Sequence, residues 1–112
     1  MTGSSFLRAI WSQDVVIANT ETTSGPVDIG DASFGLLQVP AGFEGTSVSY
    51  TVATTTGGTY YPLYDGSGAK IESDVSASQS IPLPPELFAA RSFKVVAGAQ
   101  TGAITLTVSL KG

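Results

Sequence analysis

Marked as apolar or polar, the positions of this chain alternate with a period of two over much of its length, as strands do when one face turns inward and the other outward. In residues 103–110, Ile104, Leu106, Val108 and Leu110 fall on one face, and Thr105, Thr107 and Ser109 on the other. The same arithmetic in residues 47–55 places Val48, Tyr50 and Val52 inward and Ser49, Thr51 and Ala53 outward. Further runs of strand composition cover 15–19, 27–29, 33–39, 60–64, 70–75, 79–83 and 92–97, giving about nine short strands. The pair Leu36-Leu37 breaks strict alternation, which predicts a bulge or a strand buried on both faces. Pro62 has no N–H for a ladder, so 60–64 is expected at a sheet edge or in a bulge.

Turn chemistry separates these runs: Gly25-Pro26, Pro40-Ala41-Gly42, Gly57-Gly58, Asp65-Gly66-Ser67-Gly68 and the stretch 98–102 supply positive or fixed φ angles. Many short strands at this spacing predict an antiparallel sandwich or barrel. Two segments have helical character. Pro84-Pro85-Glu86 opens a turn through Ala90, with Leu87 and Phe88 expected to plug one end of the sandwich. In the other, Phe6 with Ile10 and Leu7 with Trp11 stand four apart. The organisation expected is an N-terminal arm, 1–14, and one β domain, 15–112.

The length of 112 residues has room for one core and no second domain. No apolar run is long enough for a membrane span. Arg8 interrupts the apolar residues near the start, so no secretory signal is read there, and synthesis in a cytoplasm is expected. Charged residues make up only 12% of the chain, about half the usual share, so Ser, Thr and Gly must cover much of the surface. A weakly charged exterior suits a protein that packs against a partner or against copies of itself. The net charge is −4, and Arg8, Lys70, Arg91, Lys94 and Lys111 are scattered, which argues against nucleic-acid binding.

Chemistry is scarce. With no histidine and no cysteine, the usual general bases and thiolate nucleophiles are missing. No spacing supports a Ser-Lys pair with Lys70, Lys94 or Lys111. The acidic groups Asp28 with Asp31, and Asp65 with Glu72 and Asp74, sit in or beside turns, where Asp ordinarily caps the backbone. The stretch Asp65-Gly66-Ser67-Gly68-Ala69-Lys70 lacks the Gly-Lys-Ser/Thr and the helix of a phosphate loop, and reads as a hairpin turn. No enzymatic activity, metal, cofactor or small-molecule ligand is expected.

Two clusters remain as binding features. Phe6, Leu7, Ile10 and Trp11 form an apolar patch on the arm, which either covers its own sandwich or reaches a neighbouring subunit with Trp11 as a buried anchor. Tyr60 and Tyr64 beside Asp65 have the makings of a sugar-stacking loop. Alternation sends Tyr61 to the opposite face, so at least one of the three tyrosines is expected in the core.

The order of phrases adds a resemblance. Ile17-Ala18-Asn19, Thr23-Ser24-Gly25, Val27-Asp28-Ile29-Gly30 and Gly35-Leu36-Leu37-Gln38-Val39-Pro40 come first. Then follow 46–52, Tyr60-Tyr61-Pro62-Leu63-Tyr64-Asp65, Ile81-Pro82-Leu83, Leu87-Phe88-Ala89-Ala90 and Phe93-Lys94-Val95. Over about 15–110 this series resembles small virion proteins of tailed bacteriophages and related prophage particles. The resemblance implies a jelly-roll-like sandwich at the capsid surface, a decoration or cement protein bridging subunits of the major capsid protein. It carries no catalytic residues, and the arm 1–14 does not align with it. The phrase Gly57-Gly58-Thr59-Tyr60-Tyr61-Pro62-Leu63 is also similar to discoidin-type and carbohydrate-binding sandwiches, which implies a host-surface or sugar-binding module as the alternative.

Overall fold

The computed structural model describes residues 10–55 and 57–112. Nine strands follow in order: β1 (Ile10–Ile17), β2 (Val27–Asp28), β3 (Phe34–Val39), β4 (Ser47–Ala53), β5 (Tyr61–Pro62), β6 (Glu72–Asp74), β7 (Gln79–Pro82), β8 (Ser92–Val96) and β9 (Ile104–Lys111). One five-residue 3₁₀ turn, Pro85–Ala89, precedes β8. It begins on proline and buries Leu87 completely, with Phe88 packed beside it.

The strands form two antiparallel sheets, ordered β1-β9-β3-β7 and β2-β8-β4-β5, with β6 also on β4. Strands from opposite ends of the chain pair in sequence: β1 with β9, β2 with β8, β3 with β7, and β4 with β5 and β6. The chain is thus a long nested hairpin rolled over on itself, which is the jelly-roll topology. Rolling alternate strand pairs into opposite sheets lets each sheet bury one face against the other, roughly 10 Å apart.

The core follows from the alternation. Val15 and Ile17 of β1, Leu37 and Val39 of β3, Leu106, Val108 and Leu110 of β9, Val48 and Tyr50 of β4, and Phe93 and Val95 of β8 point into one shared cluster. Complete burial of each such side chain contributes roughly 1.5–3 kcal/mol. Tyr50 and Phe93 meet edge to face with ring centroids 6.1 Å apart, and the Tyr50 hydroxyl finds the Ser73 hydroxyl at 2.8 Å. Gly35 permits the closest backbone approach. A Cβ there would stand 2.5 Å from the Ser109 carbonyl oxygen and 2.9 Å from a Leu110 methyl.

Several expectations are corrected. Of the segment predicted to be helical, residues 6–9 lie outside the described residues, and Ile10 and Trp11 are extended, paired with Lys111 and Leu110. The ladder with β9 supplies every backbone partner that a local helix would have to replace. The sandwich therefore begins at Ile10 among the described residues, five positions before the boundary at residue 15. Leu36-Leu37 forms neither a bulge nor a doubly buried pair. Register against β9 is continuous, with Leu37 buried and Leu36 exposed. Ala53, expected outward, is buried, because the segment leading to Tyr60 lies over that end of the sheet. None of the three tyrosines is a core residue. Tyr61 and Tyr64 are exposed, Tyr60 is half-buried, and Leu63 takes the inward place. Pro62 lies on the edge strand β5.

Candidate interaction surface

The outer face of the four-stranded sheet is built from cross-strand rows, since directly opposed residues in an antiparallel pair share a face. One row runs Ile10, Lys111, Phe34 across β1, β9 and β3. The next runs Ser12, Ser109, Leu36, Pro82, and the third Asp14, Thr107, Gln38, Ser80. Val16 and Thr105 close the face at the far end. Apart from Lys111 and Asp14 no position in these rows is charged. Thr107 donates its hydroxyl to Asp14 at 2.8 Å, and the Lys111 ammonium lies 5.8 Å from the centre of the Phe34 ring.

Six large apolar side chains are exposed among the described residues, and four of them are on this face: Ile10 at 66%, Leu36 at 49%, and Phe34 and Val16 at 47% each. Lone exposed apolar residues are ordinary, but several gathered on one weakly charged sheet face make it the candidate interaction surface. Shallow grooves of about 240 and 340 Å³ cross it, lined by Ser12, Leu36, Gln38, Ser80, Thr107 and neighbouring residues.

Of the arm residues singled out in the sequence, Ile10 lies on this face. Trp11 points the other way, partly buried against the protein's own core, so its ring serves the sandwich. Phe6 and Leu7 lie outside the described residues. Leu36, Phe34 and Val16 were missed. The signal was present in Leu36, whose exposure is what the broken alternation at Leu36-Leu37 marked.

The tyrosine loop divides into two places. Tyr60 lies over the outer face of the second sheet, its hydroxyl 2.6 Å from the Ser92 hydroxyl and the Lys94 ammonium 4.4 Å from its ring centre. A cleft of about 530 Å³ opens there between Tyr60, Lys94, Asp28, Pro26 and Gln13. Asp28 is already engaged, accepting from the Gly30 N–H at 3.1 Å and pairing with Arg91 at 3.5 Å. Tyr64 and Asp65 belong instead to the hairpin closed by the Tyr64–Lys70 bridge. Asp65 accepts from the Ser67 hydroxyl, the Ala69 N–H and the Ser67 N–H, which hold its carboxyl below the usual range. That carboxylate is occupied in shaping its own turn.

The described residues contain no group of three or more His, Cys, Asp or Glu able to hold a metal ion. No family model and no curated protein matches the chain. Among solved structures, the SPBc2 prophage-derived protein YomS superposes with a TM-score of 0.57 at 6% identity, over 93% of this chain and 96% of that one. A cupin domain from Bordetella pertussis Tohama I gives 0.45 at 10% identity, covering 94% of this chain and 82% of the other. A structure of Bacillus endospore appendages gives 0.33 at 12% identity, over 93% and 89%. The likeness to YomS is one of fold: the chain is an all-β, antiparallel jelly-roll sandwich.

Proposed function

We propose that this protein is a non-enzymatic structural component of a bacteriophage-type particle, a decoration or cement protein on the capsid surface that bridges subunits of the major capsid protein. The observation that carries this reading is the outer face of the four-stranded sheet, an apolar and hydroxyl-rich surface with four large exposed apolar side chains. The fold likeness to a prophage-derived protein and the resemblance to phage virion proteins support the setting. Covering Leu36, Phe34, Ile10 and Val16 in a contact is worth on the order of 1 kcal/mol apiece from apolar burial. Repetition over a lattice turns such modest contacts into substantial reinforcement.

The test is co-sedimentation of the purified protein with undecorated phage heads. Saturable binding is expected, weakened at least tenfold by Leu36→Arg and by deletion of residues 1–9. Absence of binding by the folded wild type refutes a cement role.

The cleft beside Tyr60 favours a second reading, a sugar-binding module. Lys94 occupies one side of the Tyr60 ring, which leaves less of it for stacking than an open platform offers. A glycan array decides this reading: a defined sugar bound by the wild type and lost in Tyr60→Ala supports it, and an array without signal removes it.

A further inference from the structure

We infer that β1 is a docking edge for β1 of a second copy: the outward backbone groups of Ile10, Ser12, Asp14 and Val16 pair antiparallel across a two-fold axis that stands normal to the sheet at Gln13. Two four-stranded sheets then join into one of eight. The contact is a strand edge, separate from the outer face proposed to meet the capsid.

The other edges are blunted. β2 and β5 are two residues long, β6 three and β7 four, and β5 and β7 end on Pro62 and Pro82. β1 runs eight residues without proline or lysine. Its ladder with β9 is unbroken from Ile10 to Ile17, so no bulge turns the edge away. Its one charge, the Asp14 carboxylate, is drawn to the Thr107 hydroxyl on β9.

Hydrogen bonds fix which backbone groups point off the edge, because successive residues of a central antiparallel strand serve opposite neighbours. The Leu83 N–H donates to the Gly35 carbonyl at 2.9 Å, so Gly35 serves β7, and Phe34 and Leu36 serve β9. The Lys111 carbonyl accepts from the Ser33 N–H at 2.9 Å, which likewise turns Lys111 toward β3. Leu110, Val108, Leu106 and Ile104 are left to serve β1, opposite Trp11, Gln13, Val15 and Ile17. The N–H and C=O groups of Ile10, Ser12, Asp14 and Val16 therefore point outward. None of them has a backbone partner among the described residues.

The side chains select one register. Rotation about an axis normal to the sheet keeps outer side chains on the outer face. With Gln13 opposite Gln13 of the second copy, Ile10 meets Val16 and Ser12 meets Asp14, each twice over by symmetry. Apolar lies against apolar, and the Ser12 hydroxyl is placed to donate to the Asp14 oxygen that Thr107 does not hold. A slip of two residues sets Asp14 against Asp14 in one direction and against Ile10 in the other, and a slip of one turns the core face outward. In the selected register the two Asp14 carboxylates lie diagonally, about 7–8 Å apart, a repulsion that salt screens. Each of the four outer pairs exchanges two backbone bonds, about eight in all. The dimer presents two outer faces on one side, a bivalent array for a lattice.

Sedimentation velocity on the full chain from micromolar to millimolar concentration tests this without any phage component. A concentration-dependent shift to a species of twice the mass is expected. Ser12→Pro, checked for native circular dichroism, removes an N–H that the monomer does not use and weakens the dimer at least tenfold. Leu36→Arg, which alters the outer face, leaves dimerisation within about twofold of wild type. The chain has no cysteine, so single cysteines report the register. In a glutathione redox buffer Gln13→Cys, on the axis, forms an intermolecular disulfide at least tenfold more readily than Val16→Cys, whose symmetry mate stands about 20 Å away. If Ser12→Pro fails to fold, the cysteine pair decides alone. A monomer at every concentration overturns the proposal, as does a dimer that a folded Ser12→Pro leaves intact, a dimer lost in Leu36→Arg, or equal crosslinking of the two cysteine variants. Head binding by a protein that stays monomeric overturns the edge dimer and leaves the cement role standing; an edge dimer that binds no heads gives the reverse.

Discussion

Gln100 is buried to 2% exposure in the loop before β9, and its amide group fastens that loop to the one before β4. Its Nε2 donates to the Glu44 carbonyl at 2.9 Å and to the Gly98 carbonyl at 2.8 Å, while its Oε1 accepts from the Glu44 N–H at 2.9 Å. Gln100→Ala removes three hydrogen bonds worth about 1 kcal/mol each and strands their backbone partners, so a loss of about 2–4 kcal/mol is expected. For a domain of this length that lowers Tm by roughly 10–15 °C. Urea unfolding followed by Trp11 fluorescence reads the same loss as a lower midpoint at unchanged slope. Gln100→Glu is expected to destabilise at least as much, since a carboxylate would face two carbonyl oxygens. A loss below about 0.5 kcal/mol for Gln100→Ala would refute the reasoning, showing that water replaces the amide without penalty.

Gly35→Ala is expected to lower stability by about 1–3 kcal/mol in the same urea assay, because the added methyl meets the Ser109 carbonyl; an unchanged midpoint would show that β3 and β9 separate freely. Thr20 holds φ at 68°, a left-handed conformation unfavourable for a β-branched residue, so Thr20→Gly is expected to raise stability by roughly 0.5–1 kcal/mol; a lower Tm contradicts this. Hydrogen bonds from Thr101 hold Glu44, and those from the Ser67–Ala69 turn hold Asp65, below ordinary carboxylate values. Their stabilisation is present above the unfolded carboxylate range near pH 4 and is lost as pH falls through the lowered folded values. Burial of the Tyr50 hydroxyl raises its pKa, so its contribution is present below about pH 10 and is lost as pH rises through the folded value. Thermal melts should therefore be level near neutrality and decline in strong acid and in strong alkali; equal Tm at pH 2.5 and pH 7 refutes the first part.

Each of the nine strands left a legible run, β1 only in its last three residues, and the longer ones were clearest because a half-buried strand writes its two faces into the sequence one residue at a time. What was not legible depends on partners distant in the chain. Residues 10–14 read as an arm because Ser12, Gln13 and Asp14 blur the alternation. Gln13 points toward the sheet edge and donates to the Pro26 carbonyl at 3.1 Å, a polar use of an inward position that local pattern cannot anticipate. Ala53 is covered from outside by a segment several residues further on. The candidate surface was half visible: Ile10 was singled out, but its neighbours Phe34 and Leu36 lie on β3 and meet it only through β9. Trp11 misled because aromatic size signals burial without saying in which molecule.

The nested pairing makes β9, the last strand, the centre strip of the outer face, seated between β1 and β3. Until β9 is inserted, β1 has no neighbour in its sheet and β3 has only β7, each exposing unpaired backbone along a free edge. Phe34 and Leu36 are neighbours along β3, but Ile10 comes beside them only in the event that closes the sheet. Under the proposed role, competence to associate is tied to completion of the fold. In that role, a copy lacking β9 would not present the complete face.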